Sequence, residues 1–293
     1  MTNSPVALQD ESRTAADIDQ ATHKRHESNR QAWNEAVHRY ERTFDDDLAF
    51  LRTGAVGLHV VEQKILSNLT SWCDVAIHLQ CASGRDTLSL RNAGAAQVIG
   101  VDISDAMIAL ARQLSSRLEI DDARWYRCDV LDTPHELDGT ADLVYTGQGA
   151  LTWIHDLRAW AQVVERLLKP GGMLHLYEMH PIVTLFKWDE EQLTGSGVDY
   201  FAEMRLSRGW SGPYIGDIGI PKAKQARKCE RLWPVSSVVQ CLLDEGLVLE
   251  VLSEHPEAYW PAFPNLSNDL RKTIPMTYRV VARKASGMEM SAK

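Results

Sequence analysis

The sequence has no uninterrupted apolar run of about 18 residues, the least that a bilayer-crossing helix needs, so no transmembrane helix is expected. Its first thirty residues lack the apolar stretch of a secretory signal, and the expected location is the cytoplasm. Cysteine is sparse and scattered. There are five (Cys73, Cys81, Cys128, Cys229 and Cys241), an odd number with no C-x-x-C pair, which argues against a disulfide framework and against a zinc site. Free buried thiols and no metal are expected. No internal repeat or low-complexity tract interrupts the chain. Positive charge is in deficit as well: the formal net charge is -9 with no basic patch, which weighs against nucleic acid or an anionic membrane surface as the main partner. A homo-oligomer is compatible with this composition.

At 293 residues the chain suits one elaborated domain, or one domain plus a cap, given domains of roughly 100–200 residues. Residues 1–15 are polar and read as a disordered tail. A helical pattern runs over 16–52, with Trp33, Ala36, Val37 and Tyr40 on one face, and a further helix is expected over 58–69, so residues 16–70 form an N-terminal helical lid. Then strands and helices alternate. Strands are expected at 75–80, 98–101, 123–128, 141–145 and 173–178, and helices at 87–92, 106–117 and 157–168. The last of these helices is stopped by Lys169-Pro170-Gly171-Gly172. Such alternation implies a parallel sheet with right-handed crossovers, hence an α/β, three-layer Rossmann-like core over 71–181. Residues 182–232 show no helical period and read as an inserted cap over the substrate site. The core resumes over 233–285 with a helix at 235–245 and strands at 247–252 and 276–283, followed by a tail at 286–293.

In open α/β sheets ligands bind beyond the carboxyl ends of the strands, where strand order reverses. The first strand is followed by HLQCASGRDTLSL, in which Gly84 permits a tight turn and a close ligand approach. A dinucleotide site would want G-x-G-x-x-G there, but Ala82 and Thr87 stand where the flanking glycines belong, so a pyrophosphate is poorly served. Asp102 ends the second strand and suits two ribose hydroxyls, a role shared by dinucleotide and S-adenosylmethionine (SAM) sites. Asp129 follows the third strand and suits an adenine amino group. Thr146-Gly147-Gln148-Gly149 follows the fourth, where small residues let a ligand approach the backbone.

Taken together, HLQCASGRD, GVDIS, RCDV, TGQGALTWI and LLKPGGMLHLYE resemble the ordered motifs of class I SAM-dependent methyltransferases over about residues 30–285. The chain is most similar to a bacterial small-molecule branch. That branch has HLQC…GxDTLSL in place of D-x-G-C-G-x-G, an N-terminal Trp-Asn followed by Tyr (Trp33-Asn34 and Tyr40), and carboxylate-x-His-Pro after strand five (Glu178-Met179-His180-Pro181). It resembles in particular the indole C-methyltransferases of alkaloid biosynthesis. The resemblance implies a mostly parallel seven-stranded sheet and SAM as cofactor. It implies cofactor contacts from Gln80, Cys81, Ala82, Gly84 and Asp86, from Asp102, Ile103 and Met107, from Cys128, Asp129 and Val130, and from Thr146 and Gly147. Gln80 stands in place of the usual acid, so the methionine amino group is expected to rely on Gln80 and backbone carbonyls.

Methyl transfer from a sulfonium is an in-line displacement that needs positioning and exclusion of water. His180 is a candidate general base with Glu178, two residues earlier on the strand, orienting it, the alternative being that His180-Pro181 is a structural turn; Tyr40 is a candidate at the methyl group or a packing tyrosine. Trp33, Trp153, Trp188, Trp210, Tyr259 and Trp260 are candidates for the acceptor pocket, because aromatic faces pack flat substrates and attract cations. Trp72, Trp125, Trp160 and His78 read as core. The expected acceptor is an aromatic or amine specialised metabolite. In the form of an indole methylated on carbon, the Glu178/His180 pair would take the ring proton. The alternatives are an NAD-type oxidoreductase and a non-catalytic SAM-binding protein.

Overall fold

The structure, a computed structural model, describes residues 15–286 except 203, 211 and 213, so the two expected tails lie almost wholly outside the described residues. Short runs such as VAIHL are apolar on both faces, as strands of a parallel sheet covered by helices on both sides must be. They form β1 (Val75–Leu79), β2 (Gln97–Asp102), β3 (Ala123–Arg127), β4 (Ala141–Gly147) and β5 (Leu168–Met179). A small separate hairpin, β6 (Arg205–Ser207) with β7 (Lys228–Glu230), lies in the 182–232 segment; β8 (Leu247–His255) and β9 (Thr277–Lys284) complete the main sheet. The order of the seven strands is β3-β2-β1-β4-β5-β9-β8, parallel from β3 to β5, with β9 antiparallel to both its neighbours. The chain winds outward from β1 to β3 and then crosses to β4. The switch point therefore lies between β1 and β4.

Three helices precede the sheet: α1 (Ala15–Glu41), α2 (Phe44–Arg52) and α3 (Val60–Leu66). The helices α4 (Arg85–Asn92), α5 (Asp105–Arg117), α6 (Leu157–Leu167) and α7 (Val235–Asp244) flank it, and the short α8 (Asn268–Arg271) lies before β9. Ser104 and Asp156 cap α5 and α6 by accepting from Met107 N–H at 3.1 Å and Ala159 N–H at 2.9 Å. One core packs Trp160, Val164, Leu174 and Val280 on the α6/α7 side, and a second packs Leu66, Leu88, Leu143 and Tyr145 on the other. A third joins Ala36 and Val37 of α1 to Met107 and Leu110 of α5 and to Ile215 and Ile218. Trp160 is fully buried, whereas Trp72 and Trp125 are half-buried against the second core.

Two boundaries differ from expectation for a physical reason. The Lys169–Gly172 stretch, expected as a turn, lies inside β5: Leu168 already pairs with Ala141, and a register shift between Ala141 and Leu143 absorbs the irregular residues. β8 runs on to His255 because β9 pairs with it along its whole length. All five cysteines are free. Among the described residues, no helix is long and apolar enough to cross a membrane.

Candidate active site

A cavity of about 420 Å³ opens at the switch point. Its floor is the turn after β1, where Gln80, Ala82 and Gly84 all take positive φ (60°, 45° and 81°). The turn is fixed by Cys81 N–H donating to Val101 carbonyl and Gly84 N–H to Cys81 carbonyl, both at 3.0 Å. Gly84 was expected to admit a ligand, but it admits a side chain: a Cβ there would stand 2.5 Å from the Trp125 ring and 2.8 Å from Ala111 Cβ. Asp102 accepts from Ala82 N–H at 2.9 Å with one oxygen and from Ser104 N–H at 2.8 Å with the other. Burial pushes its carboxyl up to about 6, against those two hydrogen bonds. Each oxygen keeps a further lone pair for a hydroxyl donor. Gln80 donates from Nε2 to Ala150 carbonyl at 2.8 Å, while its buried Oε1 has no hydrogen-bond partner among the described residues. An orphan acceptor in a cavity wall calls for a ligand donor, and an amino group fits it. Asp86, also in the wall, is pushed by burial up to about 6, opposed by Arg85 and reinforced by Asp47.

The turn after β3, expected to meet an adenine, is more occupied than the sequence suggests. Asp129 lines the cavity, but one of its oxygens takes the Nδ1–H of His26 from α1 at 2.7 Å and the other takes Leu131 N–H at 3.0 Å. Burial alone would raise this carboxyl; the hydrogen bonds from His26 and from Leu131 N–H outweigh it and hold it below the usual value. His26 Nε2 accepts from His155 N–H at 3.0 Å, which fixes the Nδ1–H tautomer, and His155 Nε2 meets the Cys229 carbonyl at 3.1 Å. Asn29, one turn along α1, pairs with Cys229 of β7 in both directions at 2.8 Å. These buried bonds strap α1 across both the turn after β3 and the β6/β7 hairpin. His26 and Asn29 were missed in the sequence. They share the helical stripe of Trp33, Val37 and Tyr40, and a polar pair on a stripe that is otherwise apolar was the available signal.

Of the residues expected to touch cofactor, Gln80, Cys81, Ala82 and Asp86 line this cavity from the first turn, and Asp102, Ile103, Asp129, Val130 and Gly147 from the later ones. Gly84, Met107, Cys128 and Thr146 are not among its lining residues. Met107 is fully buried beneath α1. Cys128 donates its N–H to the Asp102 carbonyl at 3.1 Å, and Thr146 bonds the Leu79 carbonyl at 3.2 Å. His78, also at the cavity wall, is bonded to Thr87 at 2.8 Å and driven by burial to about 3, as suits a satisfied core histidine.

A second cavity, about 460 Å³, adjoins the first through five shared wall residues: Gly149, Trp153, Tyr214, Tyr259 and Trp260. Gly149 has φ 98°, and a Cβ on it would stand 3.3 Å from the Tyr259 hydroxyl. Trp188 and Trp210 line only the second cavity, and Trp33 and Tyr40 only the first. The indoles cluster: Trp33 to Trp210 is 4.9 Å between centroids, Trp33 to Trp153 is 5.4 Å, and Trp188 to Trp260 is 4.6 Å. Burial raises the Tyr40 phenol well above its usual value, aided by the charges of Asp86 and Asp102.

The expected Glu178/His180 pair does not form. β5 ends at Met179, so the alternation that would aim both side chains to one side stops before His180, which instead caps the 3-10 turn Pro181–Leu185. His180 Nδ1 accepts from Ile182 N–H at 3.2 Å, and Nε2 meets Glu254 of β8 at 2.9 Å. Burial lowers its pKa despite Glu254. Glu178 is 3% exposed and accepts from Gly149 N–H and Leu151 N–H, each at 2.9 Å. Burial pushes it up to about 7 against those bonds. Neither residue is among those lining the two cavities. Glu178 holds the loop that forms their shared wall.

Residues 76–172, from β1 through the first part of β5, match the methyltransferase domain family. No curated protein matches the chain in sequence. Among solved structures, a Listeria monocytogenes protein assigned as a SAM-dependent methyltransferase is 19% identical over 76% of this chain and 95% of its own, with a TM-score of 0.56. A SAM-dependent methyltransferase from Mesorhizobium loti is 24% identical over 73% of this chain and 92% of its own, with a TM-score of 0.54. Geranyl diphosphate C-methyltransferase from Streptomyces coelicolor A3(2), solved with Mg2+, geranyl-S-thiolodiphosphate and S-adenosyl-L-homocysteine, is 15% identical over 77% of this chain and 76% of its own, at 0.50. At these identities the structural likeness is one of fold, and it agrees with the domain match and with the strand order. Residues 76–172 thus carry a methyltransferase domain match, and the chain as a whole has the fold of these SAM-dependent methyltransferases.

Proposed function

We propose that SAM occupies the cavity at the switch point and that a small aromatic acceptor occupies the adjoining one. The observation that carries this reading is the shared wall at Gly149, Trp153, Tyr214, Tyr259 and Trp260, across which a methyl group would pass. Asp102 would hold the ribose hydroxyls, Gln80 Oε1 and Asp86 the amino group, and the Asp129–Val130 turn the adenine. The first cavity has four acidic residues (Asp47, Asp86, Asp102, Asp129) against two arginines (Arg39, Arg85), which suits a ligand carrying a sulfonium and an ammonium. SAM supplies an electrophilic methyl group. The chain's residues bind, orient and exclude water.

Helix α1 and the 182–232 segment act as lid and cap, strapped together by the Asn29–Cys229 pairing. The indole faces hold a flat acceptor against the shared wall. With His180 turned to Glu254, positioning is the main catalytic device, and near-attack alignment alone can contribute ~7–11 kcal/mol. An indole methylated on carbon remains the specific form of this reading. Incubation with SAM and a panel of indoles, phenols and arylamines, read by product mass and NMR, is expected to give a singly methylated aromatic. Failure of S-adenosylhomocysteine to bind in calorimetry, or micromolar binding of NAD in its place, contradicts the reading.

A further inference from the structure

The second cavity has the opposite charge balance from the rest of the molecule. Arg205, Arg208, Lys228 and Arg231 line it against Asp199 and Glu230, in a chain whose net charge is -9. The innermost of these cations is Lys228, on β7, whose side chain is only 8% exposed. Its ammonium lies 4.3 Å from the centroid of the Trp210 ring and 5.8 Å from that of Trp153. Its nearby acid is Glu230, whose Oε1 lies 3.5 Å from the ammonium, while Oε2 of the same carboxylate is shared by Arg205 at 3.0 Å and the Ser207 hydroxyl at 2.6 Å, so one negative charge serves two cations. Arg208 donates to the carbonyl of Gln225, which satisfies a hydrogen bond without answering a charge. A buried ammonium sharing one carboxylate with an arginine is short of negative charge, and burying such a group is unfavourable until an anion completes it.

Resting on the reading of this cavity as the acceptor site, we propose that the acceptor is an aromatic carboxylic acid whose carboxylate is bound by Lys228. The two tryptophans that flank Lys228 supply the complement. Trp210 belongs to the second cavity and Trp153 to the wall shared with the first, so a ring lying on Trp153 with its carboxylate at Lys228 extends toward Gly149. A cationic amine is the acceptor that bare aromatic walls would favour. Here Lys228 already occupies the Trp210 face, and the basic excess repels a second cation. Lys228 is thus a specificity-determining residue.

The test is calorimetry on the full chain with three probes sharing one ring system: indole-3-acetate, indole-3-acetamide and tryptamine. The affinity for S-adenosylhomocysteine is measured first, and the probes are then titrated into the saturated protein. The acid is expected to bind at least tenfold more tightly than the amide, with tryptamine weakest. Lys228→Met is expected to abolish the preference for acid over amide while leaving S-adenosylhomocysteine affinity within about twofold, and Lys228→Arg to retain it. Tryptamine or the amide binding as well as the acid, no binding of any probe, or an unchanged preference in Lys228→Met overturns the proposal. The wild-type series decides even where Lys228→Met does not fold. Intact S-adenosylhomocysteine binding with no preference for the acid overturns the acceptor class alone; absent S-adenosylhomocysteine binding overturns the cofactor reading beneath it.

Discussion

The two cavities that meet at Gly149 carry opposite charge and are built by different means. The first is acidic, with a floor of strand ends and the rest of its wall from α1, α2 and residues 214–215 and 259–260. Its positive-φ turn at Gln80, Ala82 and Gly84 and its carboxylates at Asp102 and Asp129 all follow strands of one sheet, within residues 76–172. The second is basic and made of side chains from far-apart segments: Trp153 after β4, Trp210 and Lys228 around the hairpin, Tyr259 and Trp260 before β9. Backbone geometry fixes the floor of the first, at the turn after β1 and the ends of β2 and β3. Aromatic and charged side chains fix the second, so substitutions there should change what the proposed acceptor site takes with little effect on the sheet.

The sharpest way to break this contrast is Asp102→Ala. A buried charged hydrogen bond contributes ~1.5–3 kcal/mol, so S-adenosylhomocysteine affinity should fall roughly tenfold to hundredfold in calorimetry, with the unfolding transition still cooperative. The pH dependence follows from the same group. In the proposed complex the ionised carboxylate would accept the ribose hydroxyls, and burial raises its pKa to about 6, so affinity should rise with pH up to about 6 and level off above it. Asp102→Asn should flatten that rise, leaving the smaller contribution of Asp86, whose pKa is also raised to about 6. A full-size pH dependence in the asparagine variant would place the titrating group elsewhere.

A smaller effect is expected where the two regions are strapped together. Asn29→Ala leaves the Cys229 N–H without its side-chain acceptor and takes one donor from its carbonyl. An unsatisfied buried group costs ~1–3 kcal/mol. Urea unfolding should show a loss in the lower part of that range, and acceptor turnover should fall more than S-adenosylhomocysteine affinity. Equal losses of both would mean that α1 serves the cofactor cavity alone.

The smallest effect is expected at His180, which the sequence offered both as a general base and as part of a structural turn. His180→Ala should change turnover by less than about threefold and leave its pH profile unchanged, because Nδ1 caps a turn and Nε2 faces Glu254. A positioned general base contributes ~10²–10⁴-fold, so a loss of that size would restore His180 to the chemistry.

The pattern of what was legible follows the same division. Alternating apolar runs made the sheet readable, and the acids after β2 and β3 could be placed because strand ends converge at the switch point. Gly84 makes the expected tight turn, but its missing Cβ leaves room for Trp125, and a glycine that serves a ligand and one that makes room for a side chain look alike until the partner is located. The spacing of Glu178 and His180 misled because strand parity holds only inside a strand, and β5 ends between them. The 182–232 segment had no period to read: its short strands pair only with each other and its contacts are long-range, as in the Asn29–Cys229 link across 200 residues. The tryptophans signalled an aromatic pocket, whereas Lys228 in their midst gave no local signal at all.

The most direct test of the two-cavity account is a crystal structure of the protein with S-adenosylhomocysteine bound. The account places the ribose on Asp102, the amino group on Gln80 Oε1, and the sulfur facing the wall at Gly149 and Tyr259, with the tryptophan-lined cavity beyond it open. S-adenosylhomocysteine lodged among Trp188, Trp210 and Lys228, or bound at the switch point with its sulfur turned away from Gly149, would contradict it.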